Sequence, residues 1–180
     1  DHDAQGFDSD WNCRRTVIQY NFSHHNDLGF LLLCNNGRGG FNEDTLVRYN
    51  ISYADGGDVV RFSGPVTGAR LVHNTFVLAP GMTHPMKGFA PTVIRHKSWN
   101  GWSSDILWAA NVIVHAEAGV GYVFGESTAN RFLCNAYAGV LPAELPPDPQ
   151  ALRLDPRFPA VTPARLDRAA VIEAFTPAPD

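Results

Sequence analysis

The sequence has 180 residues, 44% of them hydrophobic and 18% charged, enough apolar material for one core of ordinary domain size and too much for a disordered chain. Its net charge of −4, from 14 basic against 18 acidic residues, argues against a broad electrostatic grip on nucleic acid. No apolar run reaches the ~18 residues of a membrane-spanning helix, and Cys13, Cys34 and Cys134 contain no Cys-x-x-Cys pair, so neither a thiolate zinc site nor a disulfide scaffold is required.

The opening residues, Asp1-His2-Asp3-Ala4-Gln5, carry neither a basic nor an apolar leader pattern. From there the chain repeats itself. Five blocks align in order, TVIQYNFSHH (16–25), TLVRYNISYA (45–54), ARLVHNTFVL (69–78), ILWAANVIVH (106–115) and NRFLCNAYAG (130–139), each with an asparagine at the same place: Asn21, Asn50, Asn74, Asn111 and Asn135. The intervals are 29, 24, 37 and 24 residues, which implies loops of different length inserted between equivalent strands. A further strand follows most blocks, in GFLLLCN (29–35), GDVVRFS (57–63), PTVIRHK (91–97) and VGYVFG (120–125).

Within the blocks Ile18, Val47, Leu71, Trp108 and Phe132 are apolar every time, while the preceding position holds Val17, Leu46, Arg70, Leu107 and Arg131 and tolerates charge. That alternation predicts strands with one buried face, the first column inward and the second outward. The recurrent Asn is expected at a bend, where its amide can bond backbone left free by the sheets and stack on the Asn of the next coil, and where Asn tolerates left-handed angles. The predicted fold is therefore all-β, a parallel β-helix of about five coils over residues 1–139. A β-sandwich with coincidental Asn turns is the alternative.

All 16 glycines lie at or before Gly139, and 9 of the 13 prolines lie after it. The coils need turns, and residues 140–180 form a Pro-rich, non-repeating tail, expected to pack on the coils or cover their open end. Within it RLDRAAVIEAF (165–175) predicts a short helix, with Thr162-Pro163 as cap and first residue. Five coils are few, so the sequence is read as a C-terminal portion of a longer protein, or as a piece whose missing coils lie elsewhere.

These repeats resemble the right-handed parallel β-helix superfamily of pectate lyases, polygalacturonases and related polysaccharide lyases and glycoside hydrolases. The run GFDSDWNCRRTVIQYNFSHHNDLGFLLLC (6–34) is similar to a polygalacturonase-like stretch, in which an Asp-containing segment precedes a Cys, a strand, an Asn turn and an acidic turn. The resemblance implies a secreted or cell-surface protein acting on a polysaccharide, with calcium as a candidate cofactor.

The densest polar cluster, Asp1, Asp3, Asp8, Asp10 and Asn12 followed by His24, His25, Asn26 and Asp27, suits carboxylate chemistry. Side chains on successive coils lie about 4.8 Å apart, so carboxylates on one face can reach the ~5–9.5 Å separations used in glycoside hydrolysis. Asp8, Asp10 and Asp27 are the candidate catalytic carboxylates, with His24 or His25 as a sugar contact or proton carrier. The bland reading makes Asp8 and Asp10 turn residues and the His pair part of a solvated loop. Asp8-x-Asp10-x-Asn12 begins like a calcium loop, but Cys13 stands where Gly is needed and Gln19 where the closing Glu belongs, so an EF-hand is excluded.

Arg61 and Arg95 fall at equivalent positions, with Lys97 two residues on. Together they make a basic ladder that could hold uronate carboxylates or supply the base of a lyase, or simply guard a sheet edge. Trp99 and Trp102 sit in the longest inter-repeat excursion and suit stacking on sugar rings, or pinning of that loop to the coil. Three functions remain open: carboxylate-assisted hydrolysis, calcium-assisted lysis using Arg61 or a His, and non-catalytic glycan binding of an adhesin or stalk type.

Overall fold

The computed structural model describes residues 4–154; Asp1, Asp3 and the helix expected at 165–175 lie outside them. The described residues are all β, with no helix. In chain order the strands are β1 Phe7–Ser9, β2 Cys13–Arg14, β3 Val17–Gln19, β4 Phe22–His24, β5 Leu31–Cys34, β6 Asn42–Glu43, β7 Leu46–Arg48, β8 Ile51–Tyr53 and β9 Asp58–Ser63. They continue with β10 Arg70–Val72, β11 Thr75–Leu78, β12 Thr92–Lys97, β13 Leu107–Ala109, β14 Val112–His115, β15 Gly121–Val123, β16 Arg131–Leu133, β17 Ala136–Gly139 and β18 Leu152–Leu154.

Sheet one orders β1-β5-β9-β12-β15, sheet two β3-β7-β10-β13-β16 and sheet three β4-β8-β11-β14-β17-β18, and every pairing is parallel. A short parallel ladder of β2 and β6 is carried on by single bridges through Thr67, Ser104 and Thr128. The chain visits these surfaces in a fixed order, circuit after circuit, an architecture compatible with a parallel β-helix.

Register builds the core. Ile18, Val47, Leu71, Trp108 and Phe132 pair in one column and all are buried, as the alternation predicts. Sheet one contributes the inward columns Leu31–Val60–Ile94 and Leu33–Phe62–His96. Each large apolar side chain removed from water in this way contributes about 1.5–3 kcal/mol.

The corner between sheets two and three carries the asparagines. Asn21 donates its backbone N–H (3.0 Å) and Nδ2 (2.9 Å) to Oδ1 of Asn50. Asn50 repeats this toward Asn74, Asn74 toward Asn111 and Asn111 toward Asn135. The Nδ2 groups also reach carbonyls, such as Leu71 O from Asn111 at 2.8 Å. The last link is a carboxylate: Asp148 Oδ2 accepts the N–H and Nδ2 of Asn135 at 2.8 and 2.9 Å, and its Oδ1 accepts the N–H of Cys134 at 3.0 Å. Nearby, β18 pairs with β17, and Leu141 and Leu145 pack against the core.

One detail of the bend differs from expectation. The left-handed residue is not the Asn but the one before it: Tyr20, Tyr49, His73, Ala110 and Cys134 all have φ between 52° and 57°. The side-chain ladder fixes the Asn in place and forces the preceding residue into a backbone region that costs a non-glycine residue about 1–2 kcal/mol. Three of these side chains recover some of that by stacking, Tyr20 on Tyr49 and Tyr49 on His73, with ring centroids 5.2 and 5.4 Å apart.

Candidate functional site

Sheet one differs from the other two in what lies outside it. Its outward column runs Asp8, Leu32, Arg61, Arg95 and Val123, and beside it Cys34, Ser63 and Lys97 share a register. Over the first four strands of this face lies an open cleft of about 450 Å³, lined by Asp8, Asp10, Trp11, Leu32, Cys34, Arg61, Ser63, Met86, Lys97, Ser98 and Trp99. Leu32, Cys34 and Ser63 form its buried floor. Asp8, Asp10, Trp11 and Trp99 are exposed at its sides.

Two donors hold Asp10: its Oδ1 accepts the backbone N–H of Trp11 at 2.7 Å and the Cys34 thiol at 3.0 Å. The indoles of Trp11 and Trp99 meet at a centroid distance of 5.5 Å, tilted by 57°. Arg61 brings a cation to the floor, and its buried Nε has no hydrogen-bond partner among the described residues. The cleft thus combines two carboxylates, two cations and a pair of exposed rings. Such a set can orient hydroxyls and anionic groups, stack on a planar apolar face and move a proton.

The structure brings together Asp8, Asp10, Arg61, Lys97 and Trp99 of the residues singled out from sequence. The others lie elsewhere. Asp27 and His25 line a separate depression of about 290 Å³ with Asn26, Gly56, Met82 and Thr83. His24 stacks on Phe22, and its Nδ1 lies 3.1 Å from that of His25.

Arg95 is in register with Arg61 but is not a free cation: Asp58 Oδ1 accepts its Nε at 2.6 Å and Ala90 O its Nη2 at 2.8 Å. Trp102 is half-buried and covers Gly125 so closely that a Cβ there would lie 2.3 Å from the indole, the arrangement of a ring that pins a loop. Among the described residues no three His, Cys, Asp or Glu side chains gather as a metal centre.

Trp11, Cys34, Ser63 and Met86 were not singled out from sequence. Cys34 and Ser63 carry a usable signal, since they occupy the position of Lys97 when LLLC, VVRFS and VIRHK are superposed. Met86 has none, because it arrives from a non-repeating excursion.

The remaining perturbed groups lie in the core or, for Tyr122, packed against it. Burial pushes His96 down to about 3 and His115 down to about 4. His96 Nδ1 meets Ser103 Oγ at 2.5 Å and its ring stacks on Phe62, while His115 Nε2 meets the Tyr122 hydroxyl at 3.1 Å. Burial, then the neighbouring Tyr137, holds the Tyr122 hydroxyl well above the usual tyrosine range. These are neutral hydrogen-bonding groups of the interior, closed to any substrate in the cleft. No family model, curated protein or solved structure matches the chain.

Proposed function

We propose that the chain is a right-handed parallel β-helix of about five coils that binds a polysaccharide along sheet one and cleaves its glycosidic bonds with Asp8 and Asp10. The observation that supports this reading is the meeting of both carboxylates with Trp11 and Trp99 in one open cleft. Residues two apart in an extended chain are separated by about 6.6 Å, inside the range that glycosidases use for their acid and base or nucleophile. The two bonds that orient Asp10 suit it to the base or nucleophile, leaving Asp8 as proton donor to the leaving oxygen. The Trp pair offers faces for sugar rings on either side of the scissile bond. A substrate of this class goes with secretion or display at a cell surface.

A lyase is the second reading, favoured by the unpartnered Nε of Arg61. A uronate carboxylate would supply the missing acceptor, with Arg61 or Lys97 near the proton to be removed and a calcium ion carried in with the acidic substrate. The test is a panel of glycans offered to the native chain and to Asp8→Asn and Asp10→Asn, read for new reducing ends and for the absorbance of unsaturated uronates. Hydrolysis predicts reducing ends without unsaturation, and a loss of at least about a hundredfold in each variant. Unsaturated product that survives both substitutions selects the lyase. Glycan binding with no product of either kind leaves a non-catalytic binding protein.

A further inference from the structure

The excursion between β11 and β12, residues 79–91, separates the two hollows: Met86 lines the cleft, while Met82, Thr83 and Pro85 line the depression beside it. Few bonds hold it to the body. Gly81 N–H reaches Glu117 Oε1 at 2.9 Å, Thr83 O accepts Gly57 N–H at 3.0 Å, and Ala90 O accepts Arg95 at 2.8 Å. Between Thr83 and Ala90 two side chains, His84 and Phe89, meet the body. The His84 side chain is 1% exposed, and its Nε2 lies 3.5 Å from Oδ2 of Asp58, whose side chain is 2% exposed.

The charged groups around this ring are few. Asp58, from β9, gives its other oxygen to Arg95 and to Thr92 Oγ1, both from β12. Phe89 covers the imidazole at a centroid distance of 5.1 Å, and Arg95 and Lys97 lie over the Phe89 ring at 5.3 and 5.8 Å. The other nitrogen decides the chemistry. His84 Nδ1 lies 3.1 Å from the backbone nitrogen of Met86 and accepts its N–H. An accepting Nδ1 carries a lone pair, so in the neutral ring the proton sits on Nε2, toward Asp58.

We propose that His84 is a pH-operated positioning residue, whose protonation at Nδ1 releases Met86 from the side of the cleft it lines. The step is a single proton transfer from solvent. The proton takes the Nδ1 lone pair, the Met86 N–H···Nδ1 bond breaks because two donors then face each other, and Nε2–H stays directed at the Asp58 carboxylate. Met86 holds no other bond through its N–H, so the turn it starts, closed by Phe89 N–H to Met86 O at 3.2 Å, loses its anchor. Histidine side chains as a class change charge between about pH 5 and 8, so the test spans that range.

The bearing of this on turnover rests on the cleft being the glycan site, but its test needs no glycan, so the two readings can fail separately. The measurement is amide hydrogen exchange of the full chain, expressed as protection after correction for the intrinsic pH dependence. Met86 is compared with Val60 and Ile94 in β9 and β12. Met86 protection is expected to fall by roughly tenfold between about pH 8 and pH 5 in the native chain, while Val60 and Ile94, which share any pH-dependent loss of global stability, change alike in the native chain and in His84→Asn. In His84→Asn the side-chain oxygen can accept the same bond from two residues on and does not titrate. Met86 protection in this variant should therefore be flat over the same window. Constant Met86 protection in the native chain, an equal Met86 fall in His84→Asn, or a pH dependence of Val60 and Ile94 that the substitution removes would each overturn the proposal.

Discussion

The corner between sheets two and three and the flank of sheet one are built from the same repeat and treat polar atoms in opposite ways. At the corner every circuit contributes the same side chain, and Asn50, Asn74, Asn111 and Asn135 are buried with their amides bonded to one another and to carbonyls. A second, shorter corner does likewise where Asn26 donates its N–H and Nδ2 to Asp55, and both ladders end on a carboxylate that takes two donors at once. Along sheet one the polar atoms are individual and several are left over. Arg61 Nε, His84 Nε2 and His96 Nε2 are all buried without a hydrogen-bond partner. Repetition satisfies polar groups because each circuit supplies what the last one lacks. Buried atoms without a hydrogen-bond partner also occur at Trp108, His115 and Tyr137 in sheets two and three, but among the described residues none lies in the Asn ladder, and that of Arg61 borders the cleft.

The largest effect that would break this contrast is acid. His96 and His115 are neutral in the folded interior, with burial lowering them to about 3 and about 4 from an ordinary 6.5. The unfolded chain binds a proton at each below about pH 6.5, while the folded chain resists until those lower values. Stability is therefore full above pH 6.5, falls as the pH drops below it, and stops falling only once the pH has passed below the folded values. At about 1.4 kcal/mol per unit, the shift of His96 alone corresponds to roughly 4–5 kcal/mol. Urea midpoints taken from pH 7.5 down to pH 4 should decline steeply, and less so in His96→Gln. A flat profile would show that the interior beside sheet one is as proton-indifferent as the Asn corner.

A somewhat smaller loss is expected from the corner itself. Asn111→Ala removes the acceptor for two donors of Asn74 and the donor to Leu71 O and Asn135. Stranding buried partners on both neighbouring circuits should cost about 3 kcal/mol by chemical denaturation, with little dependence on pH. A cost under about 1 kcal/mol would mean that the ladder decorates the bend and does not hold it.

That ladder was plain in the sequence, because five asparagines in aligned blocks are a side-chain signal tied to a side-chain job. The inward column was equally plain, since Ile18, Val47, Leu71, Trp108 and Phe132 share one chemistry. The left-handed position was misplaced by one residue because it has no shared chemistry at all: Tyr20, Tyr49, His73, Ala110 and Cys134 are held there by the neighbouring Asn, not by their own preference. The candidate site was half legible. Asp8 and Asp10 lie on the same face as Arg61, but Asp27, close to them in sequence, is carried most of a circuit away and emerges beside Met82 and Thr83. Proximity in a coiled chain recurs after a full circuit, not after the 17 to 19 residues that separate Asp27 from that pair. Arg95 matched Arg61 by position and lost its freedom to Asp58, a partner that spacing alone does not reveal.

The smallest effect on stability should come from the cleft, and it sharpens the contrast most. Trp99 is 39% exposed and its ring meets Trp11 at the rim. Trp99→Ala therefore removes one tilted aromatic pair, worth about 0.5–1.5 kcal/mol, and strands no buried donor or acceptor. Its urea midpoint should stay near that of the native chain, while affinity for whichever glycan the panel identifies drops by roughly tenfold, the equivalent of about 1.4 kcal/mol. Asn111→Ala should do the reverse, losing stability but binding normally wherever it is folded, since no corner residue lines the cleft. If Trp99→Ala instead lost stability on the scale of the ladder and kept its affinity, the rim rings would be packing for the excursions of sheet one. The division of labour between corner and flank would then disappear.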